Sequence, residues 1–400
     1  MKKLFILLFF SLLSPIVFAQ WNLLNQVPTS KDLYSICFAE ANTGYAAGTD
    51  GTLLKTTDAG NSWSVLSTGT NNMYLESIYF MNADTGIVVG ANQGGGIVLK
   101  TIDGGATWSI RKNSTGSGYF SVHFADANNG FVAGSWLDGA KGLILKTTDG
   151  GDTWGEIYPS DNCLYSTFFL DSLTGYAVGE IGTILKTVDG GINWTSSNPT
   201  FSYLYDVYFS SYTTGYIAGS GTILKTTDSG ATWSALPAVK SGDLVSVFFT
   251  SENNGYVVGS GGTILMTNNA GTNWKLSNSG TDKDLHSVFF TDENTGYAAG
   301  EGGTILQTAN AGALTINEKE ISKFNFYPNP ATNKIVIAFS NLFPDEITVS
   351  ISTISNEQLF QKTFFRQNMI EMDVNTFTNG IYLLKIQTKE GVEIRKLLIQ

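Results

Sequence analysis

Cysteine and histidine are nearly missing from this chain, with two of each in 400 residues. So few thiols exclude the disulfide framework of a small secreted scaffold, and with so few imidazoles they exclude a zinc site. Cys37 and Cys163 lie in separate segments at different heights, so they read as small buried hydrophobes and not as a bridge. His123 and His286 occupy unequal positions, with no Ser or Cys nucleophile pattern around either. Arginine is scarcer still: between residues 21 and 315 only Arg111 occurs. That stretch carries 12 Lys and Arg against 25 Asp and Glu, a net of −13 (12 − 25), whereas residues 316–400 carry nine of each sign. Such an acidic surface repels phosphate backbones and anionic lipid, which speaks against nucleic acid and membrane surfaces as partners. No apolar run after the N-terminus reaches the roughly 18 residues that span a bilayer, so no transmembrane segment is expected.

What the chain has in quantity is glycine, 44 residues of it, and the glycines are periodic. The stretch TTDGGDTW at 147–154 recurs as TTDAGNSW at 56–63, TIDGGATW at 101–108, TVDGGINW at 187–194 and TTDSGATW at 226–233. Weaker copies are TNNAGTNW at 267–274 and TANAGALT at 308–315, and successive copies start 39 to 46 residues apart. Each copy is preceded by an apolar run ending in Phe, such as LYSICF or LVSVFF, then by a G-Y-x-x-G block and a G-T-I-L-K-T run. Four short β-rich segments per repeat of this length read as a propeller blade. The predicted fold is therefore all-β, a seven-bladed β-propeller over 20–315. The last copy has no Trp after its turn, while Trp21 precedes LYSICF as Trp274 precedes LHSVFF. Trp21 to Leu24 are thus expected to supply the outer strand of the last blade and close the ring, hiding open strand edges.

The recurring acid is expected to shape a turn. Asp149 is read as accepting backbone N–H groups two or three residues on, with Gly151 free to take φ > 0 and Trp154 buried between blades. The equivalent residues are Asp58, Asp103, Asp189 and Asp228, with Asn269 and Asn310 in the weaker copies. An acid repeated in every blade is architectural, and one or two side-chain oxygens per turn are too few for calcium, so no metal or cofactor is implied.

The two ends carry different information. Residues 1–19 read as a signal peptide: Lys2 and Lys3, an apolar core, then cleavage between Ala19 and Gln20. Residues 316–322 read as a polar linker, and 323–400 as a small Ig-like β-sandwich of alternating apolar and polar strands. The latter contains Tyr327-Pro328-Asn329-Pro330-Ala331-Thr332-Asn333, Asn379-Gly380-Ile381-Tyr382, and the basic pair Arg395-Lys396 before an apolar tail. On those residues it resembles the type A sorting domain of the type IX secretion system. That resemblance implies the secretion machinery as a partner, delivery to the outer cell surface or the medium, and removal of the domain on the way.

The repeat region resembles Asp-box (BNR-like) propellers, and most closely the photosystem II assembly/stability factor family. The shared layout is G-Y-x-x-G, G-T-I-L-K-T, then D-x-G-x-x-W. The photosynthetic family relies on an arginine-rich patch, and Arg111 alone does not make one. Sialidases share the Asp-box turn and clamp a carboxylate with three arginines, which this chain also lacks.

A ligand is expected on the face away from the Asp-box turns. Most loops there are minimal, but SWLDGAK at 135–141 carries Trp136, Asp138 and Lys141. The second position of each Phe-ending run also varies while its neighbours stay fixed: Tyr34, Glu76, Phe120, Tyr165, Tyr205, Val245 and His286. Aromatic groups within an acidic rim suit a sugar ring or a peptide side chain. The expectation is a secreted, non-enzymatic binding protein for an unidentified protein or glycan. The alternative is a glycoside hydrolase drawing two carboxylates from Asp50, Glu76, Asp138, Glu180 and Glu301.

Overall fold

The computed structural model describes residues 21–136, 141–237, 242–310, 324–339, 346–353, 358–365, 367, 369–388 and 391–400. The signal segment with Ala19 and Gln20, the 316–322 linker and Asp138 lie outside the described residues. The chain divides into two compact units, Met1–Leu314 and Thr315–Gln400.

The first unit is built of four-stranded antiparallel sheets, seven of them among the described residues. The first joins Leu33–Phe38, Gly44–Gly48, Leu53–Thr56 and Ser64–Leu66 in sequence order, and the next five repeat that order. Among the described residues helix is confined to three-residue 3-10 turns, such as Thr49–Gly51 and Glu180–Gly182. The last sheet takes three strands from Leu285–Phe290, Gly296–Gly300 and Ile305–Thr308, and its outer strand is Asn22–Leu23. Asn22 pairs with Gln307 and Leu23 with Leu306. The leading strand of each sheet packs on that of the next, and Leu285–Phe290 packs back on Leu33–Phe38. This closed cycle of sheets is the arrangement of a β-propeller.

The repeat residues hold neighbouring sheets together. Tyr45 Oη and Lys55 Nζ both donate to the Gly104 carbonyl, in the acidic turn of the following sheet, at 2.8 and 2.6 Å. Tyr176 and Lys186 do the same to the Ser229 carbonyl, and Tyr216 and Lys225 to that of Ala270. Tyr297 and Gln307 in the last sheet reach the Ala59 carbonyl in the first, completing the cycle. The tryptophan that follows each acidic turn, and Trp21 in the last sheet, stand edge-on to the Phe that ends their sheet's leading strand, as Trp63 does to Phe38 at 6.3 Å and Trp21 to Phe290 at 5.8 Å.

The G-Y-x-x-G block answers to close approaches. A Cβ on Gly44 would lie 2.6 Å from the Phe38 ring, and one on Gly48 1.9 Å from the Asp32 carbonyl oxygen. The acidic turn differs in one detail from the expectation. The Asp103 carboxylate accepts the N–H of Thr107, four residues on, at 2.8 Å, together with the hydroxyls of Thr101 and Thr107. Asp149 adds the N–H three residues on, from Asp152, at 3.0 Å. The threonine two residues before the acid shares the turn: its hydroxyl donates to the carboxylate and accepts the N–H of the turn glycine. Asp58, Asp189 and Asp228 repeat the geometry, Asn269 keeps both the threonine and the N–H bond, and Asn310 keeps the threonine bond.

The second unit has two sheets among its described residues. One joins Phe324–Tyr327, Lys334–Phe339 and Met369–Asp373, and the other is ordered Gln358–Phe365, Glu346–Thr353, Gly380–Thr388, Gly391–Ile399. Their shared core includes Phe324, Ile337, Val349, Leu384 and Leu397. Asn329 clamps the final strand: its amide donates to the Lys396 carbonyl at 3.0 Å and its carbonyl oxygen accepts the Leu398 N–H at 2.8 Å.

Candidate binding face

Every leading strand of the first unit carries a register shift near its start. It falls between Leu33 and Ser35 in the first sheet, Leu75 and Ser77 in the second, and Leu204 and Asp206 in the fifth. The extra residue at each shift is the variable one singled out in the sequence: Tyr34, Glu76, Phe120, Tyr165, Tyr205, Val245 and His286. A bulge residue has no cross-strand partner, so its side chain is released from the ladder and re-aimed. The third strand of each sheet runs parallel to the first and ends in the Asp-box turn. The bulges therefore sit at the opposite end of the sheets from those turns.

The residue after each bulge fixes the ring. Ser35 Oγ accepts the Ile78 N–H of the next sheet, Ser77 accepts Val122, and Ser287 accepts Ile36 across the closure, each at 3.2 Å. In the fifth sheet Asp206 replaces serine. It accepts the Val247 N–H at 2.9 Å and the Ser166 hydroxyl at 2.8 Å, and burial pushes its carboxyl up to about 6. His123 also lies inside this framework, where its Nδ1 accepts the Phe169 N–H at 3.3 Å and burial holds its pKa down at about 4.

The bulge side chains gather into two sectors. Phe120, Tyr165 and Tyr205 form an aromatic arc with ring centroids 5.9 and 5.8 Å apart, joined by Tyr203. Phe201 beside it is 90% exposed. Tyr165 donates its hydroxyl to Glu180 at 2.9 Å, and burial followed by that bond raises its pKa. Across the ring, Tyr34 lies 5.3 Å from His286 and 6.5 Å from Tyr74. Burial, then the charges of Glu76 and Asp32, push the Tyr34 hydroxyl up to about 12. The pKa of His286 is lowered by burial against the pull of Asp284, Asp32 and Glu301. Glu76 belongs to this acidic sector, and burial alone pushes its carboxyl up to about 7.

Trp136 stands apart from both sectors. It ends the strand Gly130–Trp136, and its N–H donates to the Lys141 carbonyl at 3.0 Å. Its ring packs on Tyr158 at 6.3 Å and over Gly116, leaving the side chain 37% exposed. Among the described residues no ring contact links it to Phe120 or the other bulge aromatics. Lys141 is exposed, and Asp50 is ion-paired with Lys31. Sequence reading missed Tyr74 and Tyr203, each two residues before a variable position, and Tyr158, which packs on Trp136. Among the described residues no group of three or more His, Cys, Asp or Glu could hold a metal ion.

The profile of the photosynthesis system II assembly factor YCF48 matches residues 14–110, 61–164, 158–241 and 236–309 in overlapping pieces, most of the chain. The chain belongs to this family. The secretion system C-terminal sorting domain matches residues 325–400, so the second unit is a type IX sorting domain. No curated protein matches the sequence. Among solved structures, one described as YCF48 bound to D1 peptide is similar with a TM-score of 0.61 at 20% identity, covering 74% of this chain and 98% of that one. YCF48 from Cyanidioschyzon merolae gives 0.60 at 18% identity, covering 72% and 98%. PorZ, a surface component of the type IX secretion system of Porphyromonas gingivalis, gives 0.56 at 14%, covering 92% of this chain and 59% of PorZ. At these identities the likeness is one of fold.

Proposed function

We infer that the chain is a seven-bladed propeller exported by its Ig-like sorting domain, which acts outside the cell as a non-enzymatic binding module with its ligand on the bulge face. The observation that carries this is the contrast between the two ends of the sheets. At the Asp-box end, side chains and carbonyls are occupied in holding the cycle together. At the bulge end, the position freed from the pairing of the first two strands differs in identity from sheet to sheet, and it presents aromatics beside carboxylates. Surfaces that vary on a fixed scaffold are where binding functions are placed. The sorting domain supports a role at the cell surface or in the medium, and the peptide-bound YCF48 relative supports a peptide as one kind of ligand.

The arrangement of acids favours binding over hydrolysis. Glu180 is engaged by Tyr165, Asp50 by Lys31, and the Glu301 carboxylate accepts the Asp284 N–H at 3.4 Å. Two-carboxylate hydrolysis needs an acid and a base facing one bond from opposite sides. Glycan and peptide arrays probed with the full chain test the reading. A ligand is expected whose affinity falls by more than ~1 kcal/mol in Trp136→Ala, at the edge of the face, with the melting temperature nearly unchanged. Release of reducing sugar from an array glycan would contradict the reading. So would Trp136→Ala lowering the melting temperature while leaving affinity alone.

A further inference from the structure

We propose that the mouth ringed by the bulge residues receives a basic side chain, a lysine ammonium or an arginine guanidinium, presented by a peptide. This rests on the bulge face being the ligand face and narrows its ligand. The central observation is Glu76. It sits at the bulge of Tyr74–Phe80, and among the described residues its carboxylate has neither a hydrogen bond nor an ion pair. Three other acids of this face are held: Asp32 accepts the Gly302 N–H at 2.8 Å and Asp284 the Gly261 N–H at 2.7 Å, while Asp50 pairs with Lys31. Glu76 is partly buried, and its unpartnered carboxylate gains a charge-assisted hydrogen bond when a cation enters the mouth. The high pKa of the Glu76 carboxyl follows from the same burial.

The surroundings select an organic cation. Tyr34 lies within the field of Glu76 and Asp32, with Tyr74 and His286 against its ring. Aromatic faces next to carboxylates stabilise ammonium and guanidinium groups, through the ring quadrupole and charge-assisted hydrogen bonds. They offer a bare metal ion few oxygens. The cations closest in sequence do not compete, since Lys31 is paired to Asp50 and burial keeps His286 towards its neutral form. The surplus of 25 acids over 12 bases in residues 21–315 draws basic partners and repels acidic ones.

The test is a calorimetric titration of the full chain with a capped pentapeptide, Gly-Gly-Lys-Gly-Gly, and with its Nε-acetylated form. The free lysine peptide is expected to bind at least about tenfold more tightly, since acetylation removes the charge and leaves the chain. Glu76→Gln, isosteric and without charge, is expected to bring the free peptide to the affinity of the acetylated one. Equal affinities in the wild type, an unaffected Glu76→Gln, or no binding of the lysine peptide at millimolar concentration would each overturn the proposal. Should Glu76→Gln fail to fold, the wild-type comparison of the two peptides still decides. If instead the acetylated peptide binds equally well, and Phe120→Ala with Tyr205→Ala weakens both peptides, the ligand face stands and only its cation preference falls.

Discussion

Removing the indole of Trp21 should open the cycle of sheets. The ring is 1% exposed and sits edge-on to Phe290 at 5.8 Å. It packs with Tyr256, Val258 and Ile264 of the sixth sheet as well as Leu285 and Leu306 of the seventh. The residue therefore joins two sheets, while the backbone of the strand behind it is held by the pairs Asn22 with Gln307 and Leu23 with Leu306 and by the Leu24 N–H on the Ile305 carbonyl. Truncating a buried aromatic to alanine costs about 3–5 kcal/mol, from lost transfer energy and the cavity left behind. At roughly 2–4 °C per kcal/mol for large domains, Trp21→Ala should lower the melting temperature by at least about 6 °C. Leu23→Ala is the control, because Leu23 is 48% exposed in the same strand and should shift stability by no more than ~0.5 kcal/mol. Thermal melts followed by near-ultraviolet circular dichroism compare the two. Equal small shifts would refute the idea that the first strand closes the cycle.

Asp206→Ser should raise stability at pH 8, because serine makes the equivalent bond in other sheets, as Ser246 does to Val288. The sign follows from the Asp206 carboxyl rising from 3.8 to about 6 in the fold. A carboxyl so raised destabilises progressively as pH climbs from 4 to beyond 6, by up to about 3 kcal/mol, and melts across that range should lose this slope in the variant. For Asp103 the sign is reversed: its hydrogen bonds hold the carboxyl at about 2, so its contribution is present above pH 4 and lost on acidification towards pH 2. Asp103→Asn should melt closer to wild type than Asp103→Ala, since Asn269 makes the same bonds to its threonine and to the fourth N–H. In the sorting domain, Asn329→Ala removes both bonds to the last strand, and the Leu398 amide should exchange with deuterium measurably faster, with Ile347 as the unchanged reference.

Much of this fold was legible because its signals are local and repeated. The Trp21 match to Trp274 was enough to place the first strand in the last sheet. Variation at Tyr34, Glu76 and their equivalents marked the bulges, since a side chain outside the ladder is free of its pairing constraints. What stayed hidden depends on distances between sheets. The recurring Tyr45 and Lys55 meet at a single carbonyl 49 residues beyond the lysine, and Ser35 serves an amide 43 residues on. Neither spacing has a local signature. The acid of the turn was legible as a turn former, but its reach to the fourth N–H, beside a bond from the preceding threonine, was not. Trp136 stood out in sequence as an insertion, yet Tyr158 and Gly116 draw it to the strand and away from the aromatic arc. The isolation of Glu76 is a property of its surroundings and could not be read from a variable position.

The central claim is that ligand binding uses the bulge end of the sheets and not the Asp-box end. The most direct measurement is the affinity of the strongest array ligand for two double variants of the full chain. Phe120→Ala with Tyr205→Ala removes two members of the aromatic arc. Ile102→Ala with Ile192→Ala removes side chains that are 67% and 77% exposed on the Asp-box turns. The first pair should lose more than about tenfold in affinity, as interface anchors do, and the second should bind like wild type. Loss of binding in the isoleucine pair, with the aromatic pair unaffected, would contradict the claim.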